Sequence, residues 1–564
     1  MSSDNRVEQE RQMLQDAQAK GGKAVWKTYL KLSGPGWLQS AITLGGGSLA
    51  GSLYLGVIGG YQFMWLQPLM MVLGIVMLSC IAYVTLSTGE KPFRSINTHI
   101  NPVLGWGWLI AAMMANLVWA MPQFSLGTAA LQQNLGLFTG PEGSFMGKNG
   151  TYVAAGFLFL ISAVVIWCYD AGGMGVKIFD WVLKIMVAVV VLSFFGVVGA
   201  MTFSQEGLPW GDILKNFIPN LSLLREPAEG LKPYIAASGN PDYWSGMILS
   251  TQRDNMITAA ATAVGINMTF LLPYSMLKRG WDKNFRGLAT FDLSTGLFVP
   301  FLLATSCVVI AAASQFHGKY DAGLLGEGEV TPITKQLQGG YEGLLKKRLA
   351  EEPGFDVAKA TKEEFAAKVA ALPLADRQLA AMLVPRDANS LAGSLERLTG
   401  KGVAQGVFGI GVLGMAVSTI IILMLINGFT LCEALGVEPK GMMHRVGSML
   451  PGITGSLGFL LLWGDANARF WLAVPTSIFG MVLLPIAYIT FFLMMNSKSL
   501  LKDSLPTGRK RVALNAAMLV AITAAATGSL YAIYSKTGMK GMIGLGAFIA
   551  LVIVVHFVRK KPVG

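Results

Sequence analysis

The chain has 564 residues, of which 53% are hydrophobic and only 13% are charged, about half of the roughly 25% that soluble globular proteins carry. Its 44 basic and 32 acidic residues give a net charge of +12, and its mean hydropathy is +0.52. So few charges exclude a soluble globular protein, and membrane topology explains the basic excess better than a nucleic-acid partner does.

The first thirty residues are polar and contain no apolar core followed by a small-residue cleavage site. We therefore expect no removable signal peptide, and an N-terminus that stays in the cytoplasm.

Apolar stretches long enough to cross about 30 Å of hydrocarbon recur along the rest of the chain. They lie near residues 35–58, 63–88, 104–136, 151–169, 174–203, 256–277, 292–316, 404–433, 446–463, 468–495, 513–535 and 540–558. The sequence therefore predicts an all-α polytopic membrane protein with about twelve transmembrane helices.

Basic residues between these stretches fall on one side of the membrane when the helices alternate from a cytoplasmic N-terminus. The clusters are Lys91 with Arg94; Lys278, Arg279, Lys283 and Arg286; Lys498, Lys502, Arg509, Lys510 and Arg511; and Arg559, Lys560 and Lys561. Cytoplasmic loops are enriched in lysine and arginine. We therefore predict an integral protein of the cell (inner) membrane with both termini in the cytoplasm.

The first predicted span contains three consecutive glycines, Gly45, Gly46 and Gly47, with Thr43 before them and Ser48 after them. Each glycine destabilises a helix by about 1 kcal/mol. A bilayer tolerates freed backbone groups only where they face protein or a watery cavity. We therefore expect this helix to be interrupted near the membrane midplane.

The sixth predicted span carries a second interruption, in which Gly265, Asn267 and Thr269 precede Pro273. Two broken helices five spans apart are typical of transporters that are built from inverted repeats and bind substrate at the midplane. The alternative is that these glycines only allow close helix packing. The pattern favours a transport site between the two breaks.

Acidic and basic residues are absent from the middles of spans one, three and six, although an intramembrane acid is the usual mark of a proton relay or cation ligand. Of the aromatic residues, Trp119 and Phe124 are placed where they could line a substrate path.

Catalytic patterns are absent as well. The four cysteines and four histidines are isolated, with no CxxC or HExxH pattern to hold a metal. The spans show no nucleophile paired with a base. We therefore expect a protein that is not an enzyme and has no cofactor.

Several short motifs follow one another in a fixed order along the first ten spans. They are Gly34-Pro35-Gly36, the run from Tyr61 to Trp65, Phe291-Asp292-Leu293 leading to His317, the run from Gly411 to Thr419 with Asn427, Phe429 and Glu433, and Leu484-Pro485. Their order and spacing resemble the Nramp family of divalent-metal transporters. The resemblance implies a LeuT-type fold, in which two inverted five-helix repeats are followed by two further helices.

This fold would divide the chain into consecutive regions. They are a cytoplasmic segment (1–30), a first repeat (31–204), an outer loop (205–255), a second repeat (256–495) and helices 11 and 12 with a basic tail (496–564). An outer insert at 317–403 interrupts the second repeat, and its mixed charges at helical spacing predict a small solvated helical subdomain.

The positions that bind metal in the family carry different residues in this sequence. The aspartate and asparagine of its first helix correspond to Gly45 and Ser48, and the methionine of its sixth helix falls near Ile266 or Asn267, next to Met268. A divalent ion has therefore lost its carboxylate ligand, and the metal-ligand set is unknown.

Other family positions differ as well. The glutamine of the tenth helix corresponds to Ser477, and the proton-carrying acids of the third helix correspond to Met121 and Phe124. The resulting set of predicted substrate-binding residues is Thr43, Gly45, Gly46, Gly47, Ser48, Gly265, Ile266, Asn267, Met268, Thr269 and Ser477.

Two interpretations of the cargo stay open, beside a less favoured membrane enzyme or receptor. The first is a divalent cation of the Mg²⁺ or Mn²⁺ type, which keeps part of its hydration shell and moves without the usual proton relay. The second is a small organic solute such as an amino acid, whose carboxylate would bind half-helix N–H groups. The expected partners are this cargo and the lipid bilayer, and the oligomeric state stays open.

Overall fold

The computed structural model describes residues 3–141, 143–170, 174–205, 207–462 and 473–559, and within these ranges it contains helices and turns but no strand. The main helices are α1 (Ser3–Lys20), α2 (Gly22–Leu32), α3 (Pro35–Thr43), α4 (Gly46–Gly59), α5 (Leu66–Thr88), α6 (Pro102–Ala129), α7 (Phe145–Asp170), α8 (Met174–Thr202), α9 (Pro241–Ala263), α10 (Ile266–Lys278), α11 (Phe298–Phe316), α12 (Pro332–Leu349), α13 (Lys362–Ala371), α14 (Leu374–Leu383), α15 (Ala388–Thr399), α16 (Phe408–Ala434), α17 (Gly441–Leu462), α18 (Ala473–Met495) and α19 (Gly508–Val558).

Membrane-crossing helices dominate the described part of the chain. Nine helical segments there are long and apolar enough to cross a bilayer, or ten when the bent pair α3 and α4 is counted as one span. The predicted all-α polytopic architecture is confirmed. The eleventh and twelfth predicted stretches lie on either side of Gly538, where φ is 59° and the backbone of α19 is not helical. Predicted loop 464–467, the predicted start of span ten at 468–472, Lys560 and Lys561 lie outside the described residues.

The first predicted interruption lies between α3 and α4. Helix α3 ends at Thr43 and α4 begins at Gly46, so the break is Leu44-Gly45, and the two half-helices meet at 58°. The sequence placed the break on all three glycines, whereas Gly46 and Gly47 are already helical. Glycine is tolerated at a helix start because the first N–H groups have no intrahelical partner there.

The second interruption separates α9 from α10 at Val264-Gly265. Helix α9 begins at Pro241, well before the predicted start at 256, so part of the predicted loop 205–255 is helical. The Asn240 side chain caps α9 by accepting the Tyr243 N–H at 3.1 Å. This first part of α9 is too polar to stand out as an apolar stretch, which is why the sequence placed the helix start too late.

The insert docks onto the N-terminal end of α9 through Asp376, which also forms a buried ion pair within the insert. Arg348 Nε in α12 lies 2.7 Å from Asp376 Oδ1 in α14, and the two side chains are 2% and 0% exposed. Asp376 also accepts hydrogen bonds from Trp244 Nε1 at 2.8 Å and from the Gly239 N–H at 2.6 Å. By contrast, α13 buries none of its residues. One face of the insert is therefore fixed to the membrane helices.

Close packing of α4 on α11 depends on Gly56. A Cβ at this position would lie 2.7 Å from Val309 O and 2.8 Å from Ala313 N, which are backbone atoms of α11. We expect Gly56→Ala to lower the free energy of unfolding by about 1–3 kcal/mol, because the two helices must separate. A thermal unfolding scan in detergent measures this. Gly546→Ala is the control, since a Cβ at Gly546 meets nothing within 4 Å, and equal midpoints for both variants would contradict the prediction.

Candidate functional site

The two helix breaks enclose a cavity of about 30 Å³. Its walls come from both halves of the two broken spans and from α6, α16 and α18. The lining residues are Ile42, Thr43, Gly45, Gly47, Ser48, Trp119, Pro122, Gln123, Thr262, Gly265, Asn267, Met268, Thr419, Thr476 and Ser477. We refer to this space as the central cavity.

Most of the residues that the sequence predicted as substrate-binding line the central cavity. They are Thr43, Gly45, Gly47, Ser48, Gly265, Asn267, Met268 and Ser477. Gly46, Ile266 and Thr269 do not line it. The Gly46 N–H donates to Gln123 Oε1 at 2.7 Å, and the Thr269 hydroxyl accepts from Trp108 Nε1 at 2.9 Å while donating to the Ile266 carbonyl. These three positions therefore support the breaks without facing the cavity.

Several lining residues were missing from the predicted set. They are Ile42, Pro122, Gln123, Thr262, Thr419 and Thr476. Gln123 could have been found as a polar side chain in the middle of span three. Thr419 could not, because it lies in a long apolar run and reaches the break only when α16 packs against α3. Trp119 lines the cavity, whereas Phe124 is 0% exposed and does not.

Four hydroxyl groups of the central cavity donate their protons to protein acceptors. The donor and acceptor pairs are Ser48 Oγ to Thr43 O, Thr43 Oγ1 to Met268 Sδ at 3.2 Å, Thr262 Oγ1 to Ala259 O at 3.1 Å, and Thr419 Oγ1 to Ala41 O at 3.2 Å. A hydroxyl has one proton to donate and two lone pairs. These four hydroxyls can therefore offer a ligand only their oxygen lone pairs. Lone pairs bind a cation directly, or accept hydrogen bonds from the water molecules of a hydrated cation.

Both helix breaks also present helix termini to the central cavity. Thr43 ends α3 and Thr262 lies in the last turn of α9, and the C-terminal end of a helix carries a partial negative charge. The N-terminal donors of α4 and α10 are partly used by the protein. Gly46 N–H binds Gln123 Oε1, and Gly265 N–H lies 3.4 Å from Met268 Sδ. The C-terminal ends of α3 and α9 are thus the parts of the two breaks that suit a positive ligand.

Asn267 contributes a hydrogen-bond donor to the wall of the central cavity. Its Oδ1 accepts the Met268 N–H at 2.9 Å, which fixes the orientation of the amide. Its Nδ2 is buried and has no hydrogen-bond partner among the described residues. A buried donor without a partner is costly. This one is available to a water or to a ligand oxygen in the cavity.

Carboxylates are absent from the lining of the central cavity as described. The family's acid positions in span three, Met121 and Phe124, pack instead against α17. A Cβ at Gly458 would lie within 3.0 Å of the Met121 side chain, and one at Gly455 would lie 2.7 Å from the Phe124 ring. Among the described residues, no group of three or more His, Cys, Asp or Glu side chains could hold a metal ion.

The start of α3 is held by a buried carboxylate from the seventh span. Asp292 is 1% exposed and accepts hydrogen bonds from the Gly34 N–H at 3.1 Å and from the Gly36 N–H at 2.5 Å, as well as from the Ser33 hydroxyl. A carboxylate at a helix N-terminus is favourable because it satisfies unpaired N–H groups. Asp292 thus positions the half-helix that ends at Thr43.

Comparisons with known proteins identify the family and the fold. The family model described as Natural resistance-associated macrophage protein-like (Nramp) matches residues 36–338 and 355–532. No curated protein matches the chain.

Solved structures of a manganese transporter from Eremococcus coleocola are similar in fold. Its complex with an aromatic bis-isothiourea substituted compound aligns with a TM-score of 0.55 at 13% identity, covering 95% of this chain and 96% of that chain. A histidine-to-alanine mutant of the same transporter aligns with a TM-score of 0.54 at 13% identity, covering 95% of this chain and 94% of that chain.

Proposed function

Because this chain belongs to the Nramp family, we propose that it carries a divalent metal cation across the membrane by alternating access around the central cavity. The observation that carries the proposal is the direction of the hydroxyl hydrogen bonds. Four cavity hydroxyls donate to protein acceptors and thereby keep their lone pairs for a cation. The structurally similar manganese transporter supports the same class of cargo.

The size of the central cavity favours an ion over an organic solute. A water molecule needs about 10–15 Å³ of such volume, so a cavity of about 30 Å³ holds an ion with roughly two waters. Even the smallest amino acid has five non-hydrogen atoms. It would need a wider cavity than this conformation has.

The ion is of the Mg²⁺ or Mn²⁺ type and keeps part of its hydration shell. A site that leaves part of the hydration shell in place suits Mg²⁺, which dehydrates reluctantly. The one soft group at the site, Met268 Sδ, already accepts from Thr43 Oγ1 and Gly265 N–H. Its contribution to selecting transition metals is therefore small.

Transport proceeds without the usual proton relay through span three. Met121 and Phe124 stand where the family has acids, and both pack against α17. Neither side chain can bind or release a proton. We also propose that both termini face the cytoplasm of a cell (inner) membrane and that 31–204 and 256–495 form the two repeats.

An organic solute with a carboxylate is the second candidate cargo. The buried Asn267 Nδ2, which lacks a partner among the described residues, is a donor that a carboxylate oxygen could use. Asn267 Nδ2 can also be satisfied when a cation is bound, because a water in the cavity can accept its hydrogen bond.

Isothermal titration distinguishes the two cargos. Purified protein is titrated with Mn²⁺, Mg²⁺ and Ca²⁺, and separately with amino acids. We expect saturable binding of Mn²⁺ or Mg²⁺ that weakens about tenfold in Asn267→Ala, a typical loss when a supporting group of a metal site is removed.

The matched control is Asn116→Ala. Asn116 is another fully buried asparagine of the spans, at 0% exposure, and it does not line the central cavity. This variant should bind metal as the wild type does. Heat from an amino acid together with silence from all three metals would reject the cation and favour the organic solute.

A further inference from the structure

A second polar cavity, of about 50 Å³, lies between the C-terminal part of α6 and the insert. Ser125, Thr128 and Asn134 line it from the α6 side, and Asp387 and Asn389 line it from the start of α15. Gln133 at its rim is exposed, so the cavity opens to solvent. We refer to this space as the vestibule.

The vestibule lies directly along α6 from the central cavity. Gln123 lines the central cavity and Thr128 lines the vestibule; at 1.5 Å per residue the two are about 7.5 Å apart along the helix. Leu126 separates the two spaces, because its side chain reaches to within 3.1 Å of the Cβ position of Gly46 at the first break. A ligand in the vestibule therefore lies about one and a half turns of α6 from the central cavity.

Asp387 brings a negative charge to the vestibule that no cation of the described chain neutralises. Its Oδ1 accepts the N–H and the hydroxyl of Ser390, each at 2.7 Å, and its Oδ2 accepts Gln336 Nε2 at 2.7 Å. All of these donors are neutral. The adjacent Arg386 is turned away, with its guanidinium 4.6 Å from the Phe316 ring centre.

Thr128 supplies an independent sign of a missing ligand. Its side chain is 2% exposed, and Oγ1 has no hydrogen-bond partner among the described residues although it lines a polar cavity. A buried hydroxyl without a partner is costly. The Asn134 amide donates its Nδ2 to Gln405 Oε1 at 3.0 Å, which leaves its oxygen as an acceptor.

From this arrangement we propose that the vestibule is a collecting site for hydrated divalent cations, in which the insert supplies through Asp387 the negative charge that the central cavity lacks. A volume of about 50 Å³ accommodates an ion with roughly three waters, at about 10–15 Å³ for each. The cation is held mainly through its waters, by the carboxylate and by the oxygens of Thr128 and Asn134. The inference rests on the proposed cation transport and adds a second, separate site to it.

A carboxylate that attracts cations outside the central cavity affects the kinetics of transport in a specific way. A carboxylate near the entrance raises the local cation concentration and the rate of association, and its effect falls with ionic strength. It contributes little to the step in which the ion moves through the central cavity. Loss of Asp387 should therefore raise KM and leave the maximal rate unchanged.

The test compares Asp387→Asn with Asp356→Asn in full-length protein. Asparagine removes the charge and keeps the cap of α15 through its one amide oxygen, since Asn and Asp cap helices equally well. Its amide nitrogen replaces the oxygen that accepts Gln336 Nε2, so the Gln336 amide must turn its oxygen toward residue 387. Asp356 is a matched control because it is also an insert carboxylate that caps a turn, through the Ala358 N–H at 3.1 Å, and it lies outside the vestibule. Thr128→Val is the second variant, and it removes the buried hydroxyl without changing α15.

Binding of Mn²⁺ is counted from the paramagnetic resonance signal of the free ion, and Mn²⁺ influx into proteoliposomes gives KM. We expect Asp387→Asn to raise KM about tenfold at low salt and less at high salt, with Thr128→Val changing it in the same direction. Asp356→Asn should match the wild type. Equal KM values and equal Mn²⁺ binding in Asp387→Asn, Thr128→Val and wild type would overturn the vestibule site.

Failure of the vestibule and failure of cation transport are distinguishable. Vestibule binding is also measured in Thr419→Val, in which the central cavity is altered. If Thr419→Val still binds Mn²⁺ and the double variant with Asp387→Asn does not, the vestibule site is supported even when no influx occurs. Influx in the wild type with no effect of Asp387→Asn refutes the vestibule and leaves cation transport standing.

Discussion

Thr419→Val is expected to weaken divalent-cation binding and uptake by about 10- to 100-fold, the loss that follows removal of a supporting group at a metal site. The physical reason lies in the packing of α16 on the first break. A Cβ at Gly45 would lie 2.5 Å from Thr419 Oγ1, so the hydroxyl occupies the space into which a side chain at residue 45 would project. Thr419 thus places an oxygen beside residue 45, the position that the sequence resemblance matches to a metal-binding aspartate.

The measurement is Mn²⁺ uptake into proteoliposomes and Mn²⁺ titration of the same preparations. Valine has nearly the shape of threonine, so the variant changes the chemistry of the wall more than its packing. Ser418→Ala is the matched control, because Ser418 Oγ also donates to Ala41 O, at 3.0 Å, but does not line the central cavity. Wild-type uptake by Thr419→Val would remove this oxygen from the proposed site.

Asp376→Ala is expected to release the insert from the membrane helices and to cost about 3 kcal/mol, the lower end for breaking a buried ion pair, because Arg348 keeps Glu352 as a second partner. The substitution removes the fully buried partner of the Arg348 guanidinium, which is 2% exposed, and leaves it paired with Glu352 at 2.6 Å. It also removes the acceptor of Trp244 Nε1 and of the Gly239 N–H. The insert should therefore open locally and become accessible to protease.

Limited proteolysis with mass identification of the cleavage sites measures this opening. We expect rapid cleavage within 332–399 in Asp376→Ala, while the membrane helices stay intact. Adding Arg348→Met should restore part of the protection, because it removes a buried charge that has lost its buried partner. Asp356→Ala is the control, since Asp356 pairs with Lys359 on the surface, where the two side chains are 53% and 86% exposed, and exposed pairs contribute about 0–1 kcal/mol. Equal cleavage of Asp376→Ala and wild type would contradict the structural role of the pair.

Much of the fold could be predicted from the sequence, because apolar length and glycine position are local properties. The apolar stretches gave the membrane helices, and the helix-breaking cost of glycine located both interruptions to within a few residues. The exact break was missed at Gly46 and Gly47, which begin α4. Gly47 is needed for close approach, since a Cβ there would lie 2.7 Å from Thr262 Cγ2, and such a contact cannot be recognised in one segment alone.

The candidate site was only partly predictable, since its walls come from spans far apart in the chain. Thr43 and Asn267 could be found because they flank the breaks. Thr419 could not, because hydroxyls in apolar helices commonly bond their own backbone. Nor does sequence show the direction in which a hydroxyl donates its proton, and that direction is the observation which favours a cation here.

The sharpest test of the account is ion influx into proteoliposomes that contain trapped dyes for divalent cations and for pH. We predict saturable influx of Mn²⁺ or Mg²⁺ that empty vesicles lack, with no accompanying change of lumenal pH, because Met121 and Phe124 cannot relay protons. Uptake of an amino acid without any divalent influx would contradict the proposed cargo. Lumenal acidification that follows the cation in fixed proportion would contradict the absence of a proton relay.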